Sequence, residues 1–254
     1  MPLESESNTR VLGVIPARLR SQRLPRKVLR PIAGKPLLAW VYEAAVACPL
    51  LDKVMVAVDS EEVESLCRER GWPYLMTASD LPSGTDRLHA VSRAVGAEIY
   101  VNIQGDEPLI EPAHIQALLA PFYLPAVDVS TLKVACPAAE LADPNTVKVV
   151  CARDGRALYF SRASLPFDRD GSHQAKYWKH LGLYAYRRAA LERFASLPVG
   201  ELEAIEKLEQ LRLLENGLAI YVSEVQQPTV GVDTEEDLER VAAILQGRMS
   251  AVML

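Results

Sequence analysis

The chain has little of several things that would fix its class at once. Only four of its 254 residues are cysteine. Cys48, Cys67, Cys136 and Cys151 stand far apart and form no Cys-x-x-Cys pair, which excludes a disulfide framework or zinc knuckle as the organising theme. Buried thiols in a reducing compartment are the reading. Excess positive charge is missing too. With 28 Lys and Arg against 33 Asp and Glu, the net charge is −5, so the chain as a whole does not suit nucleic acid or an anionic membrane. Any polyanion it binds must be held by a local basic site. No apolar run reaches membrane length: the longest, Ala117 to Val127, carries Pro121 and Pro125. Residues 1–10 form a polar, acidic tail with no apolar stretch behind a basic start, so no signal peptide is expected and the expected location is the cytoplasm.

What is present is ordinary for a globular protein: 49% hydrophobic and 24% charged residues. A chain this long hides roughly 70–75% of its unfolded surface and fits one large domain or a domain with a small appendage. Short apolar runs alternate with amphipathic segments. Val11 to Ile15 predicts a buried strand, Lys35 to Ala47 a helix with Pro36 in its first turn, and Val54 to Val58 a strand ending at Asp59. Glu61 to Arg70 predicts a helix stopped by Gly71, and Ile99 to Ile103 a further strand. This alternation points to βαβ units and a mostly parallel sheet. Val127 to Ala135, Val147 to Cys151, Ala157 to Phe160 and Trp178 to Tyr186 then follow without long helices between them, which suggests an antiparallel addition. Glu201 to Glu215 is the clearest helix, with Leu202, Ile205, Leu208 and Leu211 on one stripe and Asn216-Gly217 as its stop. A strand over Leu218 to Val222 and a helix over Thr234 to Gln246, capped by Thr234, close the chain.

In open α/β sheets, ligands bind beyond the carboxyl ends of the strands. There the first strand runs into Pro16 to Lys27, which holds Arg18, Arg20, Arg23, Arg26 and Lys27 and no acid. A solvated basic loop is the bland reading. Its placement favours an anion, because packed cations repel until one neutralises them, and a triphosphate does so by charge-assisted hydrogen bonds. The segment lacks both glycine-rich phosphate fingerprints, so side chains rather than a glycine cradle would grip phosphate. Asp106 and Asp233 each follow an apolar run and a glycine. Singly, each is an ordinary turn former. Together with the basic loop they suit magnesium, which nucleotide enzymes hold by one or two carboxylates plus phosphate oxygens. Spacing leaves Glu107 and Asp59 as rival ligands.

These residues resemble a known family. Val14-Ile15-Pro16-Ala17-Arg18 with Arg23-Leu24-Pro25-x-Lys27 is similar to the opening signature of bacterial sugar-acid cytidylyltransferases. Ser83-Gly84-Thr85-Asp86-Arg87 and Asn102-Ile103-Gln104-Gly105-Asp106-Glu107-Pro108 resemble the next blocks. Leu158 to Arg162, His180 to Tyr184, Leu208 to Arg212 and Gly231 to Thr234 follow in order. Together they resemble the 3-deoxy-manno-octulosonate (Kdo) group of that family from about Val11 to Leu245.

The resemblance implies an α/β fold with a Rossmann-like, mostly parallel sheet flanked by helices. It makes 11–250 one nucleotidyltransferase domain, with an antiparallel dimerisation and sugar-binding portion within about 127–200. It implies that CTP and Kdo give CMP-Kdo and pyrophosphate with Mg2+, an activation step for lipopolysaccharide synthesis, in a homodimer. Arg18 and Lys27 would hold the triphosphate and, with Asp106 and Asp233 on the metal, form the catalytic set. Ala17, Arg23, Ser83, Arg87 and Gln104 would complete the nucleotide site. Arg162 would meet the sugar carboxylate, a role suited to a planar guanidinium, while His180, Tyr184, Glu206 and Gln210 would line the polyol pocket. Glu206 and Gln210, four apart on the expected helix, would share a face. Three positions depart from the family pattern: Arg26 stands where Gly is usual, Val28 where Pro is usual, and Leu81 where His is frequent. A left-handed backbone is costly for arginine, so the loop either closes differently or uses Arg26 on phosphate. Rival readings are activation of another sugar acid (amino-Kdo or a sialic acid), a nucleotide-sugar glycosyltransferase, and a CTP-binding regulator without turnover.

Overall fold

The computed structural model describes residues 9–19, 21, 23–171 and 175–252. Arg20 of the basic segment and most of the expected tail, 1–10, lie outside them. The chain divides into two compact units: Met1–Ile115 with Thr229–Leu254, and Gln116–Pro228. The chain leaves the first unit once and returns to it.

The first unit begins with β1 (Val11–Ala17), then a short hairpin of β2 (Pro31–Ile32) and β3 (Lys35–Pro36). It continues through α1 (Leu37–Val46), β4 (Lys53–Val58), α2 (Glu61–Arg70), β5 (Tyr74–Met76), α3 (Gly84–Ala94) and β6 (Ile99–Asn102), and α4 (Pro112–Leu119) begins in it. Its strands pair in parallel in the order β6-β1-β4-β5. β1 is central, and six of its seven residues are buried. That is why it reads as an unbroken apolar run rather than an alternation. α2 matches its expected span because both ends are written locally. Ser60 accepts a hydrogen bond from the Val63 amide, acids fill the first turn, and Gly71 closes the helix at φ 67°. α1 starts two residues late: Pro36 is its cap, because Lys35 and Pro36 pair with β2. α3 had no predicted counterpart, although Ser83 and Asp86 cap each other reciprocally.

The second unit contains β7 (Val129–Ala135), β8 (Lys148–Cys151), β9 (Ala157–Ser161), β10 (Trp178–Arg187), α5 (Arg188–Ser196), α6 (Glu201–Glu206), α7 (Leu211–Glu215) and β11 (Ile220–Glu224). Here β11 runs parallel to β7, while β7, β10, β8 and β9 pair antiparallel in turn. The four runs without helices between them are therefore the antiparallel portion. The last helix, α8 (Glu235–Val252), returns to the first unit with Thr234 at its start, where the Thr234 hydroxyl accepts the Asp237 amide at 3.1 Å.

The single helix expected over Glu201–Glu215 is two helices. Lys207 adopts the left-handed conformation at φ 55° and ends α6. The fold-back lets Glu215 accept the Leu202 amide at 3.0 Å, and Arg212 donate to Glu203 at 2.7 Å. In one straight helix, residues 202 and 215 would stand about 20 Å apart. The apolar stripe was two half-stripes: Ile205 is 70% exposed whereas Leu211 is 0% exposed. The shared helical face of Glu206 and Gln210 goes with it.

Candidate active site

The site in the first unit forms where the chain leaves β1. Leu19 donates its amide to Asp59 at 2.9 Å and accepts the Arg26 amide at 3.2 Å, closing the basic segment into a loop. Arg26 sits at φ 58°, so the loop turns through a left-handed conformation at an arginine, a residue that seldom adopts it. Its guanidinium pairs with Glu62 on α2, which places it on an acid and not among the residues lining the cavity described below. This turn delivers Lys27 to the start of a 3-10 turn, anchored by buried Val28.

Beyond β6, Gly105 brings the chain hard against β1. A Cβ at this position would meet the Pro16 carbonyl oxygen at 2.5 Å, so only glycine allows the approach. Asp106 follows, and its carbonyl accepts the Val232 amide at 2.9 Å, tying the two acid-bearing segments together. The result is one ionic cluster. The Lys27 ammonium donates to Asp106 Oδ2 and, at 2.8 Å, to Asp233 Oδ1, while Arg23 donates to Asp233 Oδ2 at 2.8 Å. Desolvation works to lower the Lys27 pKa, but Asp106 and Asp233 outweigh it and hold it above its ordinary value. The lysine stays charged.

A cavity of about 220 Å³ opens beside this cluster, lined by Arg18, Ser21, Lys27, Gly84, Gln104 and Asp106 among others. It thus gathers four of the expected residues. Ser21 and Gly84 were not foreseen as lining residues, though both stand inside motifs the sequence displays. Ala17 is fully buried at the end of β1. Ser83 is occupied as the cap of α3. Arg87 is 0% exposed. Burial lowers its pKa, with Asp59 opposing and Arg18 adding to the shift, and its guanidinium faces Thr77 and Asp59. The side chain expected near the cytidine is thus enclosed in the fold. Asp59, a rival metal ligand by spacing, is used on Leu19 and Arg87, and neither it nor Glu107 lines the cavity.

The second unit gathers the residues expected around the sugar. Glu206 ties down the end of β9: its carboxylate accepts the Ser161 hydroxyl at 2.5 Å and the Arg162 amide at 3.0 Å. Arg162 clamps the end of α6 in return, donating to the carbonyls of Glu206 at 2.8 Å, Pro144 at 2.7 Å and Lys207 at 3.4 Å. Three of the five guanidinium N–H groups are engaged this way, and among the described residues the other two remain able to meet a carboxylate. His180 Nε2 lies 2.9 Å from Thr131 Oγ1 and 3.0 Å from the Tyr184 hydroxyl, and Phe160 meets its ring edge-on at 5.0 Å. Gln210 is buried, and its Nε2 has no hydrogen-bond partner among the described residues.

Desolvation pushes the His180 pKa from 6.5 down to about 3. Between those values the unfolded chain binds the proton and the native one does not, so stability falls as pH drops through that window. The expected result is that His180→Gln flattens the pH dependence of the urea midpoint between pH 6.5 and 3. An unchanged slope would assign the acid lability elsewhere.

Asp106 and Asp233 supply hard anionic oxygens that converge on one cation, here the Lys27 ammonium. Among the described residues no group of three or more His, Cys, Asp or Glu could hold a metal ion. Two adjacent carboxylates are a donor set that suits a hard cation whose remaining ligands are phosphate and water oxygens, such as magnesium.

Residues 12–220 match the family model described as cytidylyltransferase. A 3-deoxy-manno-octulosonate cytidylyltransferase of Acidobacterium capsulatum is 60% identical over 95% of this chain and 99% of its own. One from Koribacter versatilis is 49% identical over 97% and 94%. A solved structure described as CMP:2-keto-3-deoxy-manno-octonic acid synthetase complexed with CTP superposes with a TM-score of 0.91 at 45% identity, covering 94% of this chain and all of that one. With near-complete coverage in both directions, the chain belongs to the cytidylyltransferase family, among the 3-deoxy-manno-octulosonate cytidylyltransferases.

Proposed function

We propose that this chain transfers CMP from CTP to the anomeric hydroxyl of Kdo and releases pyrophosphate. The observation that carries the chemistry is the ionic cluster, in which Lys27 and Arg23 face Asp106 and Asp233 beside a cavity that Lys27 and Asp106 help to line. These are the two charge types that a metal–triphosphate complex needs, already side by side. The hydroxyl oxygen forms a bond to the α-phosphorus, and the bridging P–O bond to the β-phosphate breaks with its electron pair on pyrophosphate. The hydroxyl proton passes to solvent. No protein nucleophile takes part.

Arg18 and Lys27 bind the triphosphate and offset charge on the transferring and leaving phosphates, with Arg23 beside them. Gln104 lines the nucleotide cavity, and Gly84 leaves room beside it: a Cβ there would stand 3.4 Å from Gln104 Oε1. Arg162, His180, Tyr184, Glu206 and Gln210 orient the acceptor sugar. Asp106 and Asp233 would hold Mg2+, which when bound lowers the pKa of a ligated hydroxyl and stabilises charge at phosphorus. The same reading carries a homodimer, supported by the exposure of Leu158 (62%) and Ile205 (70%) in the second unit. It also carries the cytoplasm as compartment, supported by soluble substrates; among the described residues no helix is long and apolar enough to cross a membrane.

A coupled pyrophosphate assay tests the reaction, with CTP, UTP and ATP each set against Kdo, amino-Kdo and a sialic acid. Pyrophosphate release with CTP and Kdo above all other pairs is expected. Silence with every sugar acid, or release of a nucleotide from a sugar nucleotide instead, would overturn it.

A further inference from the structure

Among the described residues Asp59 and Arg87 form the most enclosed ion pair of the first unit, and neither lines the cavity. Side-chain exposure is 4% for Asp59 and 0% for Arg87, with Oδ2 and Nη2 3.6 Å apart. Such a pair is costly to desolvate and adds little net stability over apolar residues of the same volume. Its geometry instead connects it to the phosphate loop. Asp59, one residue past β4, uses its other oxygen to accept the Leu19 amide at 2.9 Å. Leu19 directly follows Arg18, and its carbonyl accepts the amide of Arg26, which directly precedes Lys27. One residue therefore joins both ends of the loop, and one carboxylate holds that residue.

Arg87 is fixed in turn. Its Nη1 donates to Thr77 Oγ1, and Thr77 donates through both its hydroxyl and its amide to the Val58 carbonyl, at 2.9 and 2.8 Å. The guanidinium thus faces Asp59 within a frame built onto the end of β4. Cations that must meet a triphosphate repel one another while the site is empty, so their backbone needs an anchor that does not depend on ligand.

We propose that Asp59 is a positioning residue for CTP, held in register by buried Arg87, and that it acts through Leu19 on the placement of Arg18 and Lys27. This rests on the reading of that loop as the triphosphate site. Binding of CTP and of CMP, which lacks the β- and γ-phosphates, is measured by calorimetry on wild-type, Asp59→Asn, Arg87→Met and the double variant, with melting curves to establish folding. Asp59→Asn is expected to weaken CTP about tenfold, the loss of one charge-assisted anchor. CMP, which keeps only the α-phosphate, should weaken clearly less than CTP, and the KM for Kdo should stay within about twofold, as sites apart from the loop do. The double variant should fall no further than the worse single one, because both act along one chain of contacts.

A merely structural pair would lower the melting temperature and leave the ratio of CTP to CMP affinity unchanged, which would overturn the proposal. Additive losses in the double variant would remove Arg87 from it. If the wild-type protein binds no CTP, the triphosphate reading itself fails. Should the variants not fold, hydrogen exchange on the wild-type protein decides: the Leu19 amide must be protected without nucleotide, and free exchange there would sink the anchor.

Discussion

Asp106→Asn is expected to lower turnover by at least about two orders of magnitude, the scale on which a positioned stabilising group acts, while the chain stays folded. The substitution keeps the size of the side chain and one acceptor oxygen. It removes the charge that faces Lys27 and that would bind a divalent cation. The backbone tie that holds this segment, from the Val232 amide to the Asp106 carbonyl, is untouched. The carboxylate is 30% exposed and partly hydrated, so its pairing with Lys27 is screened and its loss costs on the order of 1 kcal/mol of stability. Pyrophosphate release at saturating CTP and magnesium, read beside a thermal melt, checks both halves. Near-normal turnover at saturating magnesium would take Asp106 out of the metal role.

Lys27→Met should cost about as much turnover, for a different reason. Lys27 is 14% exposed, and its ammonium joins Asp106 and Asp233. Without it, among the described residues the two carboxylates face each other with Arg23 alone on the outer oxygen of Asp233, and the triphosphate loses a well-placed cation. Methionine fills the stem of the lysine, so packing around buried Val28 changes little. The expected outcome is a fall of about a hundredfold in kcat/KM for CTP, with the Kdo KM nearly unchanged and stability within about 2 kcal/mol. Unchanged turnover of CTP would show that the phosphates are held elsewhere. Because both aspartates keep the lysine charged, no loss of activity from its deprotonation is expected near neutral pH.

Much of the fold was legible because its signals are local. β1 reads from its apolar run. α2 reads from Ser60, its flanking charges and Gly71. The antiparallel portion reads from the absence of helices between its strands. The α6–α7 region failed for a physical reason: a periodicity of 3.6 describes the face of a helix and is blind to a reversal that preserves the count of apolar residues. Lys207 carries no turn signature, and the contacts that favour its left-handed conformation, Glu215 on α6 and Arg212 on Glu203, are tertiary. The burial of Arg87 was hidden in another way: nothing near it in the sequence announces that Asp59, 28 positions earlier, will share that burial.

By itself, the sequence determined the alternation of strands and helices, and it set a cation-rich loop at the carboxyl end of a buried strand, since each depends on neighbours along the chain. Tertiary structure alone decided which acids those cations meet. Lys27 reaches Asp106 across 79 positions and Asp233 across 206, and no local pattern encodes a contact made only when β1, β6 and the returning segment before α8 close on one another.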